Sequence, residues 1–158
     1  MQGFTRQEAL TLTGLTSGKL TYWDKTGLVS PEKIGNPKHP TVIYSWQQLL
    51  QLKLISRLRE RLSLQEIRKV LDFLTSHRYN PSIFNCHLVF VGSQLYLIEN
   101  LETFGTIVLE ASGKNKGQIV IQEIGTISEV IQSLVQEAHE QHIENFDRRV
   151  RGTPLAVK

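Results

Sequence analysis

The stretch SGKLTYWDKTGLVSP, residues Ser17 to Pro31, is the most informative part of this chain. It reads as a short basic helix over residues 17–25 that carries two adjacent aromatic residues, Tyr22 and Trp23. Gly27 ends it, because glycine tolerates the left-handed backbone of a helix end. A short basic helix of this kind is suited to lie in a DNA groove.

Four helix starts carry the capping-box pattern. In this pattern a Ser or Thr side chain accepts from a free backbone N–H, and the side chain of a Glu or Gln three residues later accepts from the backbone N–H of that Ser or Thr. The four pairs are Thr5 with Glu8, Ser45 with Gln48, Ser63 with Glu66 and Thr126 with Glu129. The first pair opens a helix over residues 6–13 that stops at Gly14. With the helix over residues 17–25, capped by Thr16, it predicts a helix-turn-helix.

Residues 29–44 contain three prolines and a glycine, which forbid a helix. Residues 42–44 read as a strand after this loop, so the segment predicts a hairpin wing. Helices of about residues 46–60 and 64–74 follow, each with an apolar face.

This succession resembles the MerR family of winged helix-turn-helix regulators over about residues 4–74. The family pattern is serine, two or three variable residues, leucine, arginine, two aromatics, an acid, two more residues, glycine and leucine. The segments YSWQQLLQLKLI and LSLQEIRKVL are similar to the family's third and fourth helices. The matching positions are Ser17, Leu20, Thr21, Tyr22, Trp23, Asp24, Gly27 and Leu28. The resemblance implies that Tyr22 touches phosphate and that Trp23 packs nearer the core.

Two positions depart from the family pattern, which has arginine where this chain has Thr21 and Val42. Both arginines normally hold DNA in the family. Threonine can still reach a base edge or a thymine methyl group. The wing lysines are candidates for the lost phosphate contacts.

Charge is distributed unevenly along the 158 residues. Residues 1–78 hold 12 Lys and Arg against 6 Asp and Glu, whereas residues 79–158 hold 6 against 9. A basic front half fits a partner such as double-stranded DNA. The predicted DNA-binding residues are Arg6, Ser17, Lys19, Thr21, Tyr22, Lys25, Lys33, Lys38, His39 and Tyr44.

The second half predicts a different structure. Residues 78–125 read as a small antiparallel β domain, a possible effector region. One hairpin joins residues 88–91 and 95–98 through a glycine turn, and a second strand pair is predicted at 107–109 and 119–121. Joined to the domain of residues 1–77, this predicts an α+β fold.

A long C-terminal helix over residues 126–151 completes the predicted fold, ahead of a tail at 152–158. Its apolar stripe is wider than one small sheet needs, so we expect it to form a homodimer contact. MerR-like proteins usually dimerise through a long helix directly after the fourth, which this chain lacks. The predicted dimer residues are Ile127, Val130, Ile131, Leu134, Val135 and Ala138.

The sequence carries few signs of other chemistry. Cys86 is the single cysteine, which fits a reducing compartment and argues against metal sensing by several cysteines. His139 and His142 flank Glu140, a spacing one residue short of a zinc motif, and are interpreted as a polar helix flank. There is no nucleophile–base pair and no glycine-rich phosphate loop. We therefore expect no enzyme activity, cofactor, metal or membrane span, and a cytoplasmic location.

These features predict a homodimeric transcriptional regulator, a repressor on an inverted-repeat operator. The atypical second half resembles the small MerR-type repressors found beside type V-K CRISPR-associated transposons, which implies repression of transposon and effector genes. The alternatives are an architectural excisionase-like protein that bends DNA and a ligand or metal sensor whose output is a protein contact. Whether a small-molecule effector binds is left open.

Overall fold

A computed structural model describes residues 3–77, 84–92, 94–98, 100, 102 and 121–151. It contains helices and two small antiparallel sheets, which confirms the predicted α+β class. In chain order the elements are β1 (Phe4–Thr5), α1 (Arg6–Thr13), α2 (Ser17–Lys25), β2 (Glu32–Ile34), β3 (Thr41–Tyr44), α3 (Trp46–Leu58), α4 (Leu64–Ser76), β4 (His87–Val91), β5 (Gln94–Ile98), β6 (Ile121–Thr126), α5 (Ile127–Glu140) and α6 (Phe146–Arg151).

The predicted capping boxes fix where the helices begin. At α1 the Thr5 hydroxyl accepts from the Glu8 N–H at 3.2 Å, and the Thr5 N–H donates to the Glu8 carboxylate at 3.0 Å. The boxes that begin α3 and α4 are closed in the same reciprocal way. At α5 the structure gives one of the two bonds of the predicted box, in which the Thr126 hydroxyl accepts from the Glu129 N–H at 3.2 Å. Local hydrogen bonds therefore set these four starts.

The wing is part of a three-stranded sheet with the strand order β1-β3-β2. Strand β3 is central, and it pairs Tyr44 with Phe4 and Val42 with Lys33. Gly3 leads into β1 with φ 106°, and a Cβ there would lie 2.9 Å from the Tyr44 carbonyl oxygen. The first strand has only two residues, which explains why the sequence pattern did not reveal it.

The main core lies where α1, α3 and α5 meet. Helix α3 buries seven apolar residues, among them Trp46, Leu49 and Ile55. They are buried because α3 packs against both α1 and α5. Leu88 and Phe90 of β4 join the same cluster. The second half of the chain thus shares a core with the helix-turn-helix.

The second sheet has the order β5-β4-β6, with both pairs antiparallel. The β4–β5 hairpin is the one predicted, with Val91 opposite Gln94 and Gly92 at φ 62°. Strand β6 begins at Ile121, the last residue of the predicted strand at 119–121, runs on to Thr126 and pairs with β4. The predicted strand at residues 107–109, most of the one at 119–121, and the tail at 152–158 lie outside the described residues.

The predicted long C-terminal helix is found only in part, because the structure has two helices there. Helix α5 ends at Glu140, and α6 begins at Phe146. Between them His142 and Asn145 adopt left-handed backbone, with φ of 55° and 57°. This break turns the chain back, so that the Phe146 ring meets Phe4 at 5.6 Å and Trp46 at 5.8 Å between centroids.

The predicted role of the apolar stripe on the C-terminal helix as a dimer contact also needs correction. Four of its six side chains are core residues of a single chain, because α5 packs on α1 and α3. The two others are Ile131, which is partly buried, and Val135, which is 44% exposed. The four buried side chains are Ile127, Val130, Leu134 and Ala138. Dimerisation itself stays a prediction, with a smaller candidate surface.

Within the described ranges, no helix is both long enough and apolar enough to cross a bilayer.

Candidate nucleic-acid interface

Helix α2 has one buried face and one exposed polar face. Leu20 and Trp23 anchor it in the core with 1% and 3% exposure, which confirms the interpretation of Trp23 as a packing residue. The Thr16 hydroxyl caps it by accepting from the Lys19 N–H at 3.3 Å. The other face presents exposed side chains for a ligand. They are Ser17, Lys19, Thr21, Tyr22 and Lys25, and Tyr22 is 53% exposed.

Arg6 connects the first turn of α1 to that exposed face. Its Nη2 donates to the Ser17 carbonyl oxygen at 2.9 Å, to the Ser17 hydroxyl at 2.8 Å and to the Thr21 hydroxyl at 3.0 Å. Thr21 in turn donates to the Ser17 carbonyl at 3.1 Å. The structure therefore brings three predicted site residues together around one guanidinium group.

The tip of the wing presents two further predicted residues, Lys38 and His39, both exposed. The Asn36 side chain shapes the turn, because its oxygen accepts from the Lys38 N–H at 3.0 Å. The Asn36 carbonyl accepts from the His39 N–H at 3.1 Å. An asparagine that bonds the backbone two residues on is a common way to fix a turn. The wing tip is thus an ordered basic projection.

Lys33 holds the wing against α2. Its Nζ lies 2.6 Å from a carboxylate oxygen of Asp24, with the two side chains 49% and 22% exposed. Lys33 also stands directly across the sheet from Val42, and directly opposed residues share one face of a sheet. A cation therefore sits beside the position where the MerR pattern has arginine, although Asp24 offsets its charge.

Tyr44 does not belong to the exposed interface, and its predicted DNA contact is wrong in this structure. Its side chain is fully buried at 0% exposure, since β3 is the central strand and faces the core. Within the described residues its hydroxyl has no hydrogen-bond partner. Burial raises the pKa of Tyr44, and the positive charge of nearby Arg6 partly offsets that rise.

Sequence reasoning missed the contacts that depend on distant parts of the chain. Arg149 of α6 pairs with Glu8 of α1 at 2.7 Å, and Lys53 donates to the Leu12 carbonyl at the end of α1 at 3.3 Å. Nothing local marks either contact, since the partners are 141 and 41 residues apart. Both support α1, the helix that carries Arg6.

His139 and Glu140 close the last turn of α5, and His142 lies beyond its end. Among the described side chains, no group of three or more His, Cys, Asp or Glu residues is arranged to hold a metal ion.

The interface therefore combines an exposed polar helix face with a basic hairpin tip, joined by the Lys33–Asp24 ion pair. Residues 4–74, from β1 into α4, match the family described as MerR HTH family regulatory protein. This part of the chain is a MerR-type helix-turn-helix domain. The match supports a DNA-binding transcriptional regulator. A search of curated proteins found no match to the chain.

Proposed function

We propose that this chain is a homodimeric, sequence-specific transcriptional regulator that represses by binding an inverted-repeat operator. The observation that carries the proposal is the exposed face of α2 beside an ordered basic wing tip, within a MerR-type domain. In helix-turn-helix proteins the second helix lies in the major groove, where side chains reach base edges.

The charges on this surface support duplex DNA as the partner. Lys19, Lys25 and Lys38 are exposed, and in the part of the chain that the structure describes none of them forms an ion pair. Unpaired cations on one surface attract phosphates and release counterions on binding. Tyr22 adds an exposed ring and hydroxyl among them.

A dimer supports sequence-specific binding because two recognition helices would then reach half-sites about 34–36 Å apart, one helical turn of DNA. The candidate contact is the open groove between α5 and α6, about 490 Å³ in volume, which Val135, Ile143 and Phe146 help to line. Val135 is the most exposed of the predicted dimer residues.

A DNase footprint of the full chain on the DNA upstream of its own and adjacent genes tests the proposal. We expect two protected half-sites related by an inverted repeat, and reduced transcription from the protected promoter.

Lys19→Ala should weaken binding about 5–150-fold, by an amount that depends on operator sequence, if Lys19 reads a base. An equal loss on random DNA would make Lys19 a phosphate anchor.

The same DNA distinguishes the alternative functions. A circularly permuted fragment set would show strong bending without transcriptional control if the chain were an excisionase-like architectural protein. If the protected promoters were those of transposon genes, they would support the finer proposal of a transposon-associated repressor. No protection anywhere, with no binding to duplex DNA at low salt, would contradict the proposed function.

A further inference from the structure

Arg6 has no carboxylate partner among the described residues, although it is held by several hydrogen bonds. Lys33 pairs with Asp24 and Arg149 pairs with Glu8, each within 2.7 Å. Arg6 instead donates from Nη2 to neutral oxygens of Ser17 and Thr21, and it forms no ion pair with any described residue. Its charge is therefore held in place without being neutralised.

The geometry leaves part of this guanidinium free for a ligand. An arginine side chain has five N–H donors in one plane, and the bonds to Ser17 and Thr21 use Nη2 alone. The three N–H groups on Nε and Nη1 take no part in these bonds. Because one edge of the plane is anchored to α2, the direction of the remaining donors is set by that helix.

A guanidinium without a carboxylate partner suits a phosphate group, whose oxygens accept charge-assisted N–H bonds from arginine. Ser17 is the first residue of α2, and the positive end of a helix dipole favours an anion in the same place.

We propose that Arg6 is a phosphate clamp for the DNA backbone, and that Ser17 and Thr21 are the positioning residues that aim it. The proposal rests on the proposed DNA-binding function and deepens it, since α1 then contributes a direct contact beside α2. The small hydroxyl of Thr21 is what leaves room for Arg6 to lie across α2. The side chain of an arginine introduced at position 21 would leave the helix close to the Arg6 guanidinium, because Thr21 Oγ1 is 3.0 Å from Arg6 Nη2.

The test uses the full chain and a random-sequence 30-base-pair DNA duplex, since a phosphate contact is independent of sequence. Binding is measured by fluorescence anisotropy across a range of salt concentrations. The variants are Arg6→Ala, Arg6→Lys, Thr21→Val, and Arg6→Ala combined with Thr21→Arg. Arg68→Ala, which removes one exposed charge from α4, is the matched control. Circular dichroism melts check that each variant folds.

We expect Arg6→Ala to weaken binding by about tenfold to a hundredfold and to reduce the salt slope by about one unit. Thr21→Val should weaken binding less and leave the slope unchanged, because the charge remains but is no longer aimed. Arg6→Lys should keep the slope and lose affinity, since an ammonium lacks the planar set of donors that bonds Ser17 and Thr21 while leaving N–H groups for a phosphate. Thr21→Arg should restore the slope that Arg6→Ala removed.

Two results would overturn the clamp. One is Arg6→Ala with the same slope and affinity as the Arg68→Ala control, while the unaltered chain binds the duplex. The other is a loss on Arg6→Ala that Thr21→Arg fails to restore in a folded double variant. If the unaltered chain does not bind the duplex at low salt, the proposed DNA-binding function itself fails. If the unaltered chain binds and only the Arg6 results disagree, the clamp alone fails.

Discussion

Lys33 and Lys38 lie in the same hairpin wing, but the structure gives their charges different surroundings. Lys33 Nζ is 2.6 Å from Asp24 and only half exposed. Lys38 is exposed at the tip, and within the described part of the chain its hydrogen bond comes from the backbone N–H. A cation already paired with a carboxylate releases fewer DNA counterions when it meets phosphate.

We therefore expect Lys38→Ala to reduce the salt slope of DNA binding by about one unit, and Lys33→Ala to reduce it by less. The Lys33 substitution should instead loosen the wing, since it removes the tie to Asp24. The measurement is a salt titration of duplex binding for both variants. Equal slope changes in the two variants would show that the Asp24 pair does not hold in the complex.

Gly18 offers a second test at the scale of one residue. Beyond its chain neighbours and the backbone of its own helix, a Cβ built on it meets no described atom within 4 Å, so its presence in α2 is not explained by packing against other elements. Glycine in a helix is less stable than alanine by about 0.5–1 kcal/mol. Gly18→Ala should therefore raise the free energy of unfolding by up to about 1 kcal/mol, measured by urea denaturation.

The same Gly18→Ala variant reports on the DNA surface. If the DNA backbone approaches α2 closely at Ser17 and Gly18, the added methyl group should weaken duplex binding while the protein becomes more stable. Unchanged binding in the stabilised variant would place the DNA farther from this turn.

Among the elements, helix α6 holds the helix-turn-helix through contacts of Phe146 and Arg149, which together are called the clasp. Phe146 packs on Phe4 and Trp46, and the Arg149 guanidinium lies 5.4 Å from the centre of the Phe4 ring while it pairs with Glu8. These contacts fall on β1, on the first turn of α1 next to Arg6, and on Trp46 at the start of α3. The C-terminal half therefore supports the element that positions the proposed clamp.

This clasp makes stability depend on pH in acid. Burial alone would raise the pKa of Glu8, but hydrogen bonds from Arg149 and the Thr5 N–H outweigh it, so the pKa lies below its ordinary value of 4.5. A carboxyl with a depressed folded-state pKa contributes stability that is present above its unfolded pKa. That contribution is lost as the pH falls through the folded-state value.

We expect the free energy of unfolding to drop on acidification below pH 4.5, and to drop less in Glu8→Gln. Glutamine does not titrate and can still accept from Thr5 and Arg149, so it serves as the matched variant. Urea denaturation at neutral and acid pH measures both. The same acid loss in the two proteins would assign the pH dependence to other groups.

Elements with local signals could be predicted from the sequence, and those that depend on distant packing could not. The predicted helices over residues 6–13 and 17–25 agree with α1 and α2, because caps and glycines mark their ends. The break after Glu140 was missed, since no proline or glycine stands between it and Phe146. That break is stabilised because Phe146 packs on Phe4, a residue distant from it in the sequence.

The candidate site shows the same division. Exposure of Lys19 and Lys38 follows from a polar helix face and a proline-rich turn. The burial of Tyr44 and the pairing of Lys33 with Asp24 arise from the three-stranded sheet and its contact with α2. These depend on which strands pair, and the two-residue β1 gave no sequence signal.

At the scale of the whole molecule, the second half of the chain packs on the first, because α5 buries its main stripe against α1 and α3. Leu134, which the sequence placed at a dimer contact, has 0% exposure in one chain. Replacing it would therefore disturb the fold. Val135, with 44% exposure on the outer side of the same helix, is the informative position for a dimer.

We expect Val135→Glu to sediment as a monomer and to lose affinity for a two-half-site DNA, since a dimer would bury the new charge without a partner. Gln132→Glu adds the same charge at another exposed position of α5 and is the control. Analytical ultracentrifugation gives the mass. A Val135→Glu protein that keeps the mass of a dimer would move the contact away from this groove.

Selection from a randomised 40-base-pair duplex library tests whether α2 and the wing read duplex DNA. We expect the full chain to enrich inverted repeats with half-sites one helical turn apart. A variant with Arg6, Lys19 and Lys38 replaced by alanine should enrich none. A library that stays random after selection with the unaltered chain, or equal enrichment by the triple variant, would contradict the claim.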